Sequence, residues 1–239
     1  MLLNFQKTIN SIIFAILLFF KCLLTLFSDC LKVFCQFITL VDERALLTIK
    51  DKNCRVLLTG VDFLENLLIK KLNKGEKVLG TFFEIGSVTA VEALSYTGLD
   101  YIIIDSEHGP FDIESNMEFI RTAELKGLTP LVRIHEISRS AVLKNLDVGA
   151  KGLIVPCVET VDQVKSLVQW GKYPPIGLRG FFTARPTGFG FEEFAKDIST
   201  LFQTSNSQTL LIPQCETLGC LENIEEIASI NGVDGIFIG

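Results

Sequence analysis

The sequence is short of the residues that build several common kinds of site. It has two histidines, His108 and His135, and seven cysteines without a single CxxC pair. That leaves no ligand set for a zinc finger or zinc ribbon, and reduced thiols in a cytosolic setting are the default expectation. Basic residues are in the minority, with Lys+Arg 22 against Asp+Glu 28, a formal charge of -6 and a pI of about 5.1. A nucleic-acid binder would show a basic patch instead. No GxGxxG follows the first predicted strand, so a dinucleotide-binding sheet has no support. With 48% apolar and 21% charged residues, the chain is neither disordered nor collagen-like.

The first 41 residues differ from the rest. They hold seven of the 19 phenylalanines and four charges, and the stretch 11–20 reads SIIFAILLFF. Three readings stay open for this hydrophobic leader. One is a membrane-associating helix over 9–27, close to the roughly 20 residues a span needs but interrupted by Lys21. Another is a cleaved signal, for which no small-residue cleavage site is visible. The third is an extension unrelated to the folded part. Residues 42–61 read as a connector, and 62–239 as the folded domain. The expected location is cytoplasmic, with membrane association through the leader as the alternative.

From residue 62 the pattern becomes regular. Residues 62–73 (DFLENLLIKKLN) predict a helix capped by Asp62. Strands are then predicted at 78–85, 101–105, 130–134, 152–158, 209–214 and 235–238. Helices are predicted at 88–96, 112–125, 138–146, 161–170, 191–202 and 221–229. Strands that read as unbroken apolar runs, such as YIIID at 101–105, are covered on both faces, which implies parallel pairing with helices outside. The fold class is α/β, either a doubly wound sheet or a (β/α)8 barrel. The barrel is favoured because polar residues collect at successive strand ends: Glu84, then Asp105, Glu107 and His108, then Arg133 and His135, then Glu159, then Gln214 and Glu216. Barrel chemistry sits at those carboxyl ends.

The residues themselves suggest roles. His108, in DSEHGP, can serve as a general base, since its ordinary pKa lies near working pH; the alternative is a solvated loop histidine. Asp105 can orient an imidazole or a metal-bound water. Arg133, in LVRIH, offers paired donors to a carboxylate or enolate oxygen, or else makes a structural ion pair. Asp147, in NLDVGA, can raise a histidine's basicity; otherwise it is a helix-end residue without function. Gln214 and Glu216 face the same side by the period of two and suit a substrate contact and a ligand to a hard divalent cation. Residues 177–190, with Arg179, can shape the entrance or bind an anion, or are plain surface loop. Cys157, Cys215 and Cys220 read as small core residues.

These motifs, in this order, resemble the HpcH/HpaI family of metal-dependent class II pyruvate aldolases, related to the citrate lyase beta subunit. The matching stretches are LNKGEKVLGTFFEIGS, GLDYIIIDSEHGP, PLVRIH, LDVGAKGLIVPCVET, YPPIGLRG, QCET and GVDGIFIG, spanning residues 72–239. The resemblance implies a TIM barrel and retro-aldol cleavage of a 4-hydroxy-2-oxo acid to pyruvate and an aldehyde. It implies His108 as proton acceptor, Asp147 as its partner, and Arg133 as the group stabilising the enolate. Gln214 would touch substrate, Glu216 would bind Mg²⁺ or Mn²⁺, and Asp105 would support the water and metal network. Homo-oligomers are usual in the family. After FIG the family continues with a Pro-small-Asp segment whose aspartate is the second protein ligand to the metal. The expectation is therefore an incomplete barrel of about six of eight strands, with that ligand beyond Gly239. Rival readings are a non-catalytic barrel remnant, a membrane-associated binding protein, and a lyase acting on a CoA thioester.

Overall fold

The computed structural model describes residues 65–239, which lie in the unit Val61–Gly239. The leader, its candidate span at 9–27 and the connector fall outside the described residues. Among the described residues no helix is long and apolar enough to cross a membrane.

Six strands follow one another in a parallel sheet in chain order: β1 (Gly80–Phe83), β2 (Tyr101–Asp105), β3 (Thr129–Arg133), β4 (Gly152–Val155), β5 (Leu210–Cys215) and β6 (Phe237–Ile238). The sheet curls into a half-barrel, an incomplete TIM barrel. Among the described residues eight α-helices accompany it: α1 (Leu67–Leu72), α2 (Val88–Leu94), α3 (Ile113–Leu125), α4 (Arg139–Asp147), α5 (Val161–Gly171), α6 (Ile198–Gln208), α7 (Leu218–Glu222) and α8 (Ile224–Ser229).

The period of two divides every strand between two apolar layers. Ile102 and Ile104 of β2, Val132 of β3, Leu153 and Val155 of β4 and Leu211 of β5 face the helices and join the larger core. Their neighbours Ile103, Leu131, Ile154 and Leu210 face the concave side, where Leu68 of α1 packs with them. The same alternation therefore turns Asp105, Arg133 and Gln214 to the concave side, at the carboxyl ends of their strands.

Several boundaries differ from those the sequence predicts. The first helix is capped by Asn66, whose Oδ1 accepts the N–H groups of Leu68 and Ile69. Its Nδ2 donates to the carbonyls of Lys151 and Gln208 just before β4 and β5, which seats α1 under the amino ends of the strands. The helix predicted at 191–202 starts only at Ile198, where α6 begins, and two 3₁₀ turns, Arg185–Gly190 and Glu193–Lys196, precede it. Left-handed backbone at Gly188 and Phe189 breaks the run, and Asp197 caps α6 through Thr200 N–H at 2.7 Å. The predicted helix at 221–229 begins earlier, behind a Thr217 cap, and divides at Asn223 into α7 and α8. β4 ends at Val155, three residues short of the predicted 152–158.

The loop after β2 is tied to the helix layer by a buried amide relay. Asn116 of α3 donates through Nδ2 to Ser106 Oγ and to Asn145 Oδ1, both at 2.9 Å, and Asn145 of α4 donates to the Ala141 carbonyl. All three side chains are buried. Asn116→Ala leaves two buried acceptors short of a donor and is expected to lower the unfolding free energy by about 1–3 kcal/mol. Urea denaturation checks this, and an unchanged midpoint would show that the relay adds nothing.

Candidate active site

β2 and β3 pair so that Asp105 lies directly across from Arg133. Both side chains point to the concave side, and the guanidinium grips the carboxylate at both ends, Nε to Oδ1 at 2.9 Å and Nη2 to Oδ2 at 2.6 Å. Asp105 is fully buried. Its Oδ1 also accepts the N–H groups of Glu107 and His108, which folds the DSEH loop back over the strand end. Gly109 permits that fold, since a Cβ there would stand 2.2 Å from the Asp105 carbonyl oxygen. Arg133 Nη1 reaches Glu107 Oε2 at 3.2 Å, and the guanidinium lies over the Phe82 ring at 4.7 Å.

On the other side of the mouth, Gln214 and Glu216 share a face of the chain leaving β5. Gln214 Nε2 donates to Glu216 Oε2 at 2.6 Å, while the N–H of Cys157 donates to Glu216 Oε1 at 2.7 Å. Cys157 is exposed and sits in the left-handed region, with φ of 53°. That corrects its expected place in the core: Cys215 and Cys220 are buried as small apolar residues, whereas the turn after Pro156 throws the third thiol into the mouth. Donor atoms of Glu107, Cys157 and Glu216 lie within 4.8 Å of one another. Gln214, bonded to Glu216 through Nε2, keeps its Oε1 buried without a hydrogen-bond partner. Clustered carboxylate oxygens of this kind fit a divalent cation.

Charge is arranged to match. Burial alone would raise the Asp105 carboxyl, but hydrogen bonds from Arg133 and from the Glu107 and His108 backbone outweigh it and hold the group below its ordinary value. Arg133 is pushed up, first by its hydrogen bonds to Asp105, against the cost of its own burial. Desolvation and the charges of Glu216 and Glu107 push the Cys157 thiol up. That keeps it protonated near neutrality, so it is no activated nucleophile.

The structure gathers Asp105, Arg133, Gln214 and Glu216, with His108 exposed on the loop between them and solvent. Asp147 is not among them. It ends α4, and a helix that follows a strand carries its last turn back to the amino end of the sheet. There Asp147 accepts from Arg179 Nη2 at 2.7 Å, and Arg179 stacks on Tyr173 at 4.8 Å. A strand of four or five residues, roughly 15 Å, separates it from His108, so the expected pairing does not form within the chain. The same geometry places the buried Arg179 away from the mouth, contrary to a role at its entrance. Glu107 and Cys157 are the two mouth residues given no role in the chemistry from the sequence, Glu107 being named only among the polar strand ends and Cys157 only as a core residue. Glu107 had a usable signal, being two residues past Asp105 on the same loop, whereas nothing in VPCV announces a left-handed cysteine.

Asp105→Asn is expected to cost about 3–5 kcal/mol at pH 7, because it strands a mostly buried guanidinium. The Asp105 carboxyl is lowered in the folded state, so its contribution is complete above an unfolded pKa of about 3.9 and fades as pH falls through the folded value. The gap between parent and variant in urea denaturation therefore narrows in acid. A gap that held constant down to strongly acidic pH would contradict the pairing.

Comparison with known proteins follows the same residues. The HpcH/HpaI aldolase/citrate lyase family model matches residues 79–239. A hydroxypyruvate/pyruvate aldolase of Roseobacter denitrificans is 34% identical over 176 residues, 73% of this chain and 66% of that protein. A 2-keto-3-deoxy-L-rhamnonate aldolase of Klebsiella pneumoniae is 32% identical over 74% of this chain and 64% of its own length. The crystal structure of an HpcH/HpaI aldolase from Desulfitobacterium hafniense superposes with a TM-score of 0.66 at 31% identity, covering 72% of this chain and 65% of that one. The chain thus spans about two thirds of the length of the curated relatives it matches. With the family model covering most of the chain and the mouth built from the matched segments, the chain belongs to the HpcH/HpaI aldolase/citrate lyase family.

Proposed function

We propose that the chain is a carbon–carbon lyase of the class II pyruvate aldolase type, cleaving a 4-hydroxy-2-oxo acid to pyruvate and an aldehyde. The observation that carries this reading is the mouth itself: a guanidinium held rigid by Asp105, facing oxygen donors that suit a divalent cation, at the carboxyl ends of parallel strands. Family membership and the named activities of the relatives support it.

In this reading Mg²⁺ or Mn²⁺, held by Glu216, supplies Lewis acidity to the oxygens of the keto acid. Arg133 binds and stabilises the oxygen on which enolate charge develops; it has five N–H donors and Asp105 fixes its orientation in advance. His108 accepts the proton of the 4-hydroxyl as the carbon–carbon bond breaks and the electron pair passes into the enolate. The enolate carbon then takes up a proton to give pyruvate. Asp105 is a positioning residue for both the guanidinium and the His108 loop. Gln214 gives one of its two Nε2 hydrogens to Glu216, so its action on substrate runs through the second N–H, through that carboxylate or through its Oε1. Asp147 can raise the basicity of a histidine only across a contact with a second copy of the chain, so a homo-oligomer is part of the proposal. A lysine Schiff base has no place in it. The buried Lys172 follows α5 and is held by Asp234 at 2.9 Å, at the amino end of the sheet.

The test is pyruvate release from a 4-hydroxy-2-oxo acid by the full chain with Mg²⁺ or Mn²⁺. EDTA is expected to abolish it and added cation to restore it. His108→Ala is expected to lower kcat by about 10²–10⁴. Full activity in EDTA would overturn the reading, and a full rate in His108→Ala would overturn the assignment of the base.

A further inference from the structure

The mouth holds a sulfur donor that a hard-cation site does not need. Cys157 is carried there by a left-handed turn, and its own N–H is clamped by Glu216 Oε1 at 2.7 Å. The clamp leaves Sγ 3.9 Å from Glu107 Oε1. A sulfur bonded at about 2.3 Å and an oxygen at about 2.1 Å to one tetrahedral ion stand roughly 3.6 Å apart. The thiol and the carboxylate are thus nearly spaced as ligands of one ion before any ion is considered. Glu107 turns its other oxygen to Arg133, which fixes the carboxylate plane and leaves Oε1 toward the thiol.

A second observation points to a ligand independently. Gln214 is 3% exposed, its amide is pinned against Glu216 at 2.6 Å, and its Oε1 has no partner. A buried acceptor left unpaired costs about 1–3 kcal/mol unless something electropositive meets it. Glu216, the group its amide is bonded to, is itself an acceptor, so a cation held there can satisfy Oε1 where a protein donor is missing.

We infer that the cation site of this chain is a mixed oxygen–sulfur site, in which Cys157 joins Glu107 and Glu216 and shifts the preference from Mg²⁺ toward Zn²⁺ and Co²⁺. The inference rests on the cation site proposed above and deepens it by naming the class of metal. Mg²⁺ takes oxygen ligands and gains nothing from sulfur, whereas borderline ions bind thiolate strongly. The thiol proton leaves to solvent when the ion binds.

The experiment titrates the full chain with Co²⁺, following bound metal by equilibrium dialysis and the near-ultraviolet sulfur-to-cobalt charge-transfer band by absorption. The band is expected to saturate at one equivalent, to vanish in Cys157→Ser and to persist in Cys220→Ser. Competition is expected to show Zn²⁺ affinity falling in Cys157→Ser by at least the roughly tenfold that even an outer-sphere partner costs, with Mg²⁺ affinity unchanged. X-ray absorption at the zinc edge needs no variant and is expected to show a sulfur neighbour at about 2.3 Å. Cobalt bound without the band, a band that survives Cys157→Ser, or a zinc edge without sulfur overturns the sulfur ligand and leaves the cation site standing. No bound cation of any kind overturns both.

Discussion

The pairing of Asp105 with Arg133 is the constraint from which the mouth is built. Parallel register sets the two residues side by side on the concave face, and burial leaves each with no better partner than the other. The bidentate contact then does two further things. It keeps the guanidinium charged and oriented at the strand end, and it leaves one Asp105 oxygen to collect the N–H groups of Glu107 and His108. A single carboxylate thus fixes a cation, a loop and the position of an imidazole. Exposed ion pairs give little of this, since screening and side-chain entropy consume most of their gain. Here the low exposure of both partners makes the geometry rigid, and the desolvation cost is met by four hydrogen bonds to one carboxylate.

Much of this was legible in the sequence because the strands are unambiguous. YIIID and the run around PLVRIH are apolar on both faces until their polar carboxyl ends, so parallel pairing with helices outside followed, and the period of two put Gln214 and Glu216 on one side. The elements that were misread are those in which a single residue's backbone decides. Apolar content suggests a helix from residue 191, yet the backbone is left-handed at Gly188 and Phe189 and the helix waits for its cap at Asp197. Cys157 looks like any small residue in VPCV, and only the turn after Pro156 exposes it. Side-chain pattern reports which face a residue occupies, and it does not report a left-handed turn at a residue other than glycine.

Asp147 illustrates a different gap. Its sequence distance from His108 matched the motif, but motif order does not say at which end of a sheet a residue lies. Topology does: residues closing a helix return to the amino ends of the strands, while residues closing a strand stand at the mouth. Asp147 and Arg179 therefore belong with Lys172 and Asp234 to a polar layer under the sheet. In a single chain that layer stabilises, and it reaches the chemistry only by meeting the mouth of another copy.

The mouth is also organised by what its carboxylates leave unspent. Glu216 accepts one N–H on each oxygen, from Cys157 and from Gln214, and each oxygen keeps a second lone pair. Glu107 divides itself between Arg133 and the thiol. These bonds orient the groups without saturating them, and they come from backbone, amide and guanidinium donors carried by the turn after β4, by β5 and by β3. Two carboxylates so close together repel one another, and Arg133, shared with Asp105, offsets only part of that charge. The residual negative field is directed at the region bounded by Glu107, Cys157 and Glu216, where a doubly charged ion would relieve the repulsion.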